Sequence, residues 1–169
     1  KNIIKEKLYE EDLFICVPPR YKEKKELKDK IITIDLLLKS QIGCNNEYPV
    51  ISLKEFKNET FIVVDDNLNI GEMFNSLLRD NEMEDVDIIS TNQMTVGMMM
   101  TKYDLGISLV TENYVRYMEF SEFPIILKVD KGISSRFVYV AYSKKRYLSK
   151  ASKAFLEMIK KETSNGINS

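Results

Sequence analysis

Short, mostly apolar runs recur along the chain and predict buried strands. The first covers residues 13–17 and ends at Pro18 and Pro19. Proline favours extended backbone in the residue before it and has no N–H for a strand ladder, so this strand should end there. Later runs of similar character are bounded by turn or charged residues. They cover residues 61–64, 86–89, 106–110, 124–129 and 136–143.

A helical period of apolar residues appears between these runs. Its clearest case follows Asn69, a residue type that caps helix N-termini well. Spacings of i, i+3, i+4, i+7 and i+8 bring the apolar side chains to one face of a helix. These side chains are Ile70, Met73, Phe74, Leu77 and Leu78. The pattern predicts an amphipathic helix that packs on the strands.

Further helices are predicted from their caps. Thr91 and Asn92 can cap a helix over about residues 93–103, and Thr111 can cap a short one. Ser149 can cap a last helix whose expected apolar face consists of Ala151, Ala154, Phe155, Met158 and Ile159. Strands thus alternate with helices, which favours an α/β fold with a mostly parallel sheet.

The connecting segments have weaker patterns. Residues 20–30 are almost all charged and predict a solvated connection. Residues 35–38 favour a short helix, and residues 43–48 favour a loop. Ser52 and Glu55 have the spacing of a capping box, which predicts one helical turn.

Composition and charge narrow the range of functions. The 169 residues are 44% hydrophobic and 30% charged, which is typical of a folded globular chain. The chain has 25 basic and 26 acidic residues and a net charge of −1. A chain this neutral has no electrostatic footprint for a nucleic-acid backbone. If a parent protein binds DNA, we expect the contacts to lie outside these residues.

Residues for common metal and catalytic sites are scarce. The chain has no histidine, and its two cysteines, Cys16 and Cys44, are not in a Cys-x-x-Cys pair. This argues against structural zinc and against a nucleophile with a histidine base. Cys16 lies in an apolar run and is expected to be a buried thiol. Acids such as Asp65 and Asp66 are expected to be solvated or to cap helices, so no metal, cofactor or enzymatic reaction is predicted.

No segment predicts a membrane span or a secretion signal. The apolar runs are shorter than the roughly 20 residues of a transmembrane helix. Residues 1–5 lack the apolar core of a signal peptide, and the chain does not begin with Met. We expect a piece of a longer cytoplasmic protein that makes no membrane contact.

Five segments, in their order along the chain, resemble the effector domain of LysR-type transcription regulators. They are residues 8–19, 49–64, 69–78, 90–110 and 135–159. The first, LYEEDLFICVPP, resembles the strand that leaves the first lobe of that domain, crosses the hinge and enters the second lobe. The fourth, STNQMTVGMMMTKYDLGISLV, resembles a helix and the glycine-turn strand after it. It departs from the family pattern by having Asp104 where glycine is usual.

The resemblance implies a fold like that of the type II periplasmic binding proteins, with two lobes of mostly parallel sheet flanked by helices. Residues 1–17 would supply part of lobe I and the hinge strand, and residues 18–129 would form lobe II. Residues 130–162 would supply the return hinge strand and the last helix of lobe I, and residues 163–169 would form a frayed tail. The N-terminal winged helix-turn-helix and the first part of lobe I are absent from these residues. Lobe I is therefore expected to be incomplete, with an open sheet edge and an apolar face. Residues 20–48 are longer than the family's usual connection.

The resemblance also implies a cleft that binds a small molecule where strand C-termini meet helix N-termini, whose free amides suit anions. The best candidates for effector contacts are Asn92, Gln93 and Thr95, together with Thr91. The alternative, of equal weight, is that Asn92 and Thr95 only cap the helix.

Weaker candidates lie elsewhere in the chain. Asp66 and Asn67 precede the helix of residues 69–78, where capping by Asn69 alone is the stronger interpretation. Pro18 lies at the expected hinge, where the family's cleft also receives side chains, but its role in ending the strand is the stronger interpretation. The methionines of residues 98–100 are better explained by core packing than by a binding surface.

The implied function is effector sensing by a DNA-binding regulator. A small, anionic metabolite would bridge both lobes and shift their relative population. DNA would be bound only through the absent winged helix-turn-helix, and the parent would form dimers or tetramers. A solute-binding protein of a transporter, which shares the two-lobed fold, is the first alternative. An α/β enzyme is a weaker one, because no catalytic motif is present.

Overall fold

The computed structural model describes residues 2–40, 46–65, 69–117, 124–132 and 134–165. The strands in this part of the chain are β1 (Ile3–Val17), β2 (Val50–Ile51), β3 (Phe61–Val64), β4 (Ile88–Thr91), β5 (Ile107–Thr111), β6 (Ile125–Val129) and β7 (Ser135–Ser143). The α-helices are α1 (Ile34–Lys39), α2 (Asn69–Asp80), α3 (Met94–Lys102), α4 (Glu112–Tyr117) and α5 (Lys150–Asn165). Short 3-10 helices cover Pro19–Glu23, Lys25–Lys30 and Leu53–Phe56.

A mixed sheet carries most of these strands. Its order is β2-β6-β1-β5-β3-β4, and β7 pairs with β1 outside this path. β1 is antiparallel to both β5 and β6, whereas the pairs β2–β6, β3–β4 and β3–β5 are parallel. Within the described residues, all strands on this path except β1 therefore run in one direction. This confirms the predicted α/β fold with a mostly parallel sheet.

The two parts of β1 pair with different strands. Residues 3–12 pair with β7 in an antiparallel ribbon, with a shift of register between Lys7 and Tyr9. From Leu13 onward the strand pairs with β5 and β6 in the sheet. The change of partner therefore falls after Asp12, in the middle of the strand and not at its end.

The ribbon and α5, which packs against it, leave an apolar surface open. Of the apolar face predicted for α5, only Ile159 is half-buried, and the other members are exposed. The large apolar side chains exposed on the ribbon and α5 are Ile3, Phe137, Tyr139, Phe155 and Met158. Two strands and one helix are too few elements to bury all of their apolar faces. The exposed apolar face expected from the sequence is therefore present in the structure.

Alternation along residues 13–17 divides the core into two clusters. Successive side chains of a strand point to opposite faces of the sheet. Leu13, Ile15 and Val17 belong to a cluster that includes the apolar face of α2, whereas Phe14 and Cys16 belong to a second cluster with residues of α1, α3 and α4. Cys16 is fully buried, as predicted, and this burial raises the pKa of its thiol.

The charged segment over residues 20–30 is not wholly solvated, so that prediction is partly wrong. Its two 3-10 helices bury Tyr21 and Leu27 against the cluster that contains Leu13. The charged neighbours of these two residues are exposed. The many charged residues of this segment gave no indication that Tyr21 and Leu27 pack into the core. The loop predicted over residues 43–48 lies partly outside the described residues.

The predicted caps have different outcomes. Thr111 and Ser149 are confirmed as caps, because their hydroxyl oxygens accept from the N–H groups three residues later, at 3.4 and 3.1 Å. Ser52 does not cap through its side chain. The turn after it is a four-residue 3-10 helix, in which the Glu55 N–H donates to the Ser52 carbonyl oxygen at 3.2 Å. α2 begins at Asn69 itself, so Asn69 lies inside the helix it was expected to precede.

Candidate functional site

The ends of β3 and β4 lie side by side at the carboxyl edge of the sheet. Parallel pairing aligns Val64 with Thr91, and the Asp65 N–H donates to the Thr91 carbonyl oxygen at 2.7 Å. β5, on the other side of β3, ends at the same edge with Thr111. In α/β proteins, ligands bind in the crevice outside the carboxyl ends of the strands. The predicted turn after β4 therefore has the expected position for a binding site.

A cleft of about 540 Å³ lies beside these strand ends. Its volume is within the range of small-molecule sites, roughly 300–1,000 Å³. The described lining residues come from β3, β4, α2 and the turns that follow the two strands. They are Val63, Val64, Asp65, Asn75, Ile88, Ser90, Thr91 and Asn92. Most of these side chains are polar, which suits a small polar ligand.

Asn92 lines this cleft and is exposed, whereas Gln93 and Thr95, which follow it along the chain, are exposed but are not among the lining residues. α3 begins at Met94 with Gln93 at its N-cap position, and no side chain caps it. The alternative in which Asn92 and Thr95 cap the helix is therefore wrong, since neither stands at the N-cap position. Thr91 is half-buried, and its hydroxyl oxygen lies 3.5 Å from the Gln93 nitrogen that donates to it. The polar groups of the turn thus remain available to a ligand.

The electrostatics of the cleft are modest. No basic side chain occurs among its described lining residues, while Asp65 contributes a carboxylate. Positive potential arises from the N–H groups at the start of α3, which together act as roughly half a unit charge.

Sequence reasoning missed three polar residues that line the cleft, namely Asp65, Asn75 and Ser90. Asp65 directly follows a predicted strand, a signal that could have identified it. Asn75 and Ser90 could not be identified in this way, because their position depends on the packing of α2 beside the edge strand β4. The predicted contacts Asp66 and Asn67 lie outside the described residues.

Pro18 is not near this cleft. β1 runs antiparallel to β5 and β6, so that Leu13 lies opposite Thr111 at the carboxyl edge, while Val17 lies opposite Ile125 at the far edge. Pro18 follows Val17 and is buried at that far edge. Pro18 therefore does not line the cleft beside Thr91, and the chain passes from ribbon to sheet earlier, at Asp12 and Leu13.

A second concavity, of about 510 Å³, lies at the far edge of the sheet. Its lining is mostly apolar and includes Ile31, Ile32 and Ile126, with Lys22 and Lys102 also present. None of the residues predicted to bind an effector lines it. Its polar lining residues are Lys22, Thr33 and Lys102, whereas most of the residues that line the cleft beside Thr91 are polar.

Two further kinds of feature are absent from the described residues. These residues contain no group of three or more His, Cys, Asp or Glu side chains that could hold a metal ion. None of the helices described here is long and apolar enough to cross a membrane.

A family comparison agrees with this geometry. The model of the LysR substrate binding domain matches residues 1–164. The chain belongs to the LysR substrate-binding domain family. No curated protein matches the sequence.

Solved structures resemble this LysR substrate-binding domain in fold. The effector binding domain of QuiR in complex with shikimate is 20% identical, with a TM-score of 0.65 over 97% of this chain and 66% of that one. The CcmR regulatory domain of Synechocystis PCC6803 in complex with 2-PG is 16% identical, with a TM-score of 0.67 over 97% of this chain and 68% of that one. The BenM effector binding domain with benzoate is 15% identical, with a TM-score of 0.65 over 98% of this chain and 65% of that one.

This LysR substrate-binding domain is shorter than the domains it resembles. It spans 66% of the QuiR chain and 65% of the BenM chain, while almost all of its own residues are aligned. About a third of each related domain has no counterpart in this chain.

Proposed function

We propose that this chain is the greater part of the ligand-sensing domain of a LysR-type transcription regulator and binds a small metabolite in the cleft beside Thr91. The observation that carries the proposal is a cleft of about 540 Å³ lined by Thr91 and Asn92, with the exposed side chains of Gln93 and Thr95 next along the chain. The membership of the LysR substrate-binding domain family supports it. The family match favours this function over that of a transporter's solute-binding protein. The domain acts by binding and carries out no reaction of its own.

The ligand class follows from the charges around the cleft. Shikimate and benzoate, which occupy QuiR and BenM, are carboxylates. Here a carboxylate would meet N–H groups at the start of α3 and the side-chain amides of Asn92 and Gln93. Asp65 lies on the same cleft. We therefore propose a polar ligand that carries a carboxylate group.

The ribbon and α5 would belong to lobe I, and the sheet from Leu13 to Val129 with its helices would form lobe II. The boundary would lie at Asp12, where β1 changes partner, and near Ser134, whose carbonyl oxygen accepts from the Leu13 N–H at 2.9 Å. The exposed apolar surface of the ribbon and α5 supports a lobe I that is completed by residues outside this chain. In the parent, those residues would also include the DNA-binding part, and the protein would act in the cytoplasm as a dimer or tetramer.

Calorimetric titration with a panel of carboxylic acids and matched neutral polyols tests the cleft. We expect at least one carboxylic acid to bind, and we expect Asn92→Ala to weaken it by about tenfold, because one hydrogen bond to a charged group contributes roughly 1.5 kcal/mol. Asn58→Ala, at an exposed turn remote from the cleft, serves as the matched control. Equal affinity of the Asn92→Ala variant and the original chain would remove Asn92 from the site.

A second titration tests whether the cleft is shared between lobes. The same acid is titrated into this chain and into a chain extended to a complete lobe I. We expect tighter binding to the extended chain, because a bridging effector contacts both lobes. Equal affinity for both chains would contradict a shared cleft.

A further inference from the structure

Two acidic residues lie where β1 passes from the ribbon to the sheet. Glu11 and Asp12 are the last residues of β1 that pair with β7 before Leu13 begins the pairing with β5. Glu11 is only 1% exposed. Burial of a carboxylate at this depth is costly unless charged or hydrogen-bonding partners surround it.

Glu11 has such partners on both sides of the junction. Its Oε1 atom accepts from Arg136 Nε on β7 at 2.6 Å, and its Oε2 atom accepts from the Asn113 N–H in the first turn of α4 at 3.2 Å. Arg136 belongs to the ribbon, whereas α4 follows β5 of the sheet. One carboxylate thus connects the two substructures through a different atom for each.

A second set of contacts reinforces this connection. Lys128 of β6 pairs with the Asp12 carboxylate and also donates to the Ser134 carbonyl oxygen at 2.6 Å. The Asp12 N–H donates to Glu112 Oε2 at 3.2 Å, and Glu112 in turn accepts from Arg116 Nε at 3.0 Å. Each of these acidic side chains at the junction therefore contacts a basic side chain, and directional hydrogen bonds join the ribbon to the sheet.

These contacts are better suited to fixing geometry than to adding stability. A buried ion pair often contributes little net stability relative to apolar residues of similar size, because desolvation offsets its attraction. Charge-assisted hydrogen bonds are nevertheless short and directional. A two-stranded ribbon is only marginally stable by itself, so side-chain contacts with the sheet help to hold it in place.

We propose that Glu11 and Arg136 are positioning residues, whose ion pair, together with the bond from Glu11 to the Asn113 N–H, sets the angle between the ribbon and the sheet. This angle would fix how lobe I faces the cleft beside Thr91, a consequence that rests on the proposed function. The geometric claim itself does not depend on any ligand.

Distance measurement between two spin labels, without ligand, tests the geometric claim. Glu72→Cys on α2 and Lys161→Cys on α5 provide exposed labelling sites on the sheet side and the ribbon side. Cys16 is buried and inaccessible to the label, and Cys44→Ser removes the other thiol.

We expect a single narrow distance distribution for the labelled chain. We expect Arg136→Gln to shift or broaden it. Lys54→Gln, which breaks the Lys54–Glu82 pair within the sheet side, should leave the distribution unchanged.

The double variant Glu11→Gln/Arg136→Gln separates positioning from stability. Arg136→Gln alone leaves the buried Glu11 carboxylate without its charged partner, which destabilises the fold, whereas the double variant removes both charges. We expect the double variant to regain thermal stability while its distance distribution stays shifted or broad. A narrow distribution at the original distance in either variant would overturn the proposal. Failure of every ligand titration would leave this result unaffected, so the two proposals can fail separately.

Discussion

The Thr101 hydroxyl group donates to the Ser108 hydroxyl oxygen at 2.9 Å, with Thr101 fully buried and Ser108 2% exposed. This contact joins α3, which begins at the cleft, to β5. Because water cannot reach either hydroxyl group, each depends on the other for part of its hydrogen bonding.

Thr101→Val should therefore destabilise the protein by about 1–3 kcal/mol, because it leaves the Ser108 hydroxyl group buried without this partner. The double variant Thr101→Val/Ser108→Ala should lose less free energy of unfolding than the two single variants lose in sum, because it leaves neither polar group buried without a partner. Urea denaturation of the four proteins measures this coupling. Strictly additive losses would show that the contact has no energetic role.

Gly71 allows α2 to approach the end of β3. A Cβ atom at Gly71 would lie 2.1 Å from the Val64 carbonyl oxygen, too close for any side chain. Gly71→Ala should therefore force a backbone shift and cost about 1–3 kcal/mol or more. Gly97→Ala in α3 is the matched control, because its Cβ would lie 3.4 Å from Ile62 Cγ2. The free energy of unfolding of that variant should stay unchanged or rise by up to about 1 kcal/mol, because alanine has a higher helix propensity than glycine. Thermal unfolding of both variants measures the difference, and equal melting temperatures would contradict it.

Tyr21 should make stability depend on pH in the alkaline range. Burial, and then a hydrogen bond to the Glu59 carboxylate, raise the pKa of Tyr21 to about 12. An unfolded tyrosine has a pKa near 10. The neutral phenol therefore stabilises the fold fully below about pH 10, and this contribution is lost as the pH rises from about 10 to 12. Tyr21→Phe removes this titration, so its melting temperature should fall less steeply over that window. Parallel curves for the two proteins between about pH 8 and pH 12 would rule out this role.

Ser149 should control the fraying of α5. Its hydroxyl oxygen accepts from the Ser152 N–H at 3.1 Å, and loss of such a cap costs about 1 kcal/mol. Ser149→Ala should speed hydrogen exchange in the first turns of α5 while leaving β3 and β5 unchanged. Ser149→Asp should restore protection, since Asp also caps helices. Faster exchange throughout the sheet would indicate a global effect in place of local fraying.

The candidate site was predictable in part. Strand and helix patterns placed Thr91, Asn92, Gln93 and Thr95 at a strand-to-helix turn, and the structure has that turn at the carboxyl edge of the sheet. Pro18 was assigned to the same cleft, but it lies at the opposite edge. The location of a turn follows from local sequence, whereas its neighbours depend on strand order and direction.

Local sequence also determined which segments became strands and helices in this protein. Residues 13–17 and 61–64 are apolar enough to be buried strands in almost any α/β arrangement, and the period of α2 suits only an amphipathic helix. Tertiary structure alone decided that β1 changes partner after Asp12, that Glu11 is buried between Arg136 and α4, and that Tyr21 and Leu27 join the core. Charged residues such as Glu11 carry no local signal of burial. Their environment is set by pairing between segments more than a hundred residues apart, as with the 125 residues that separate Glu11 from Arg136.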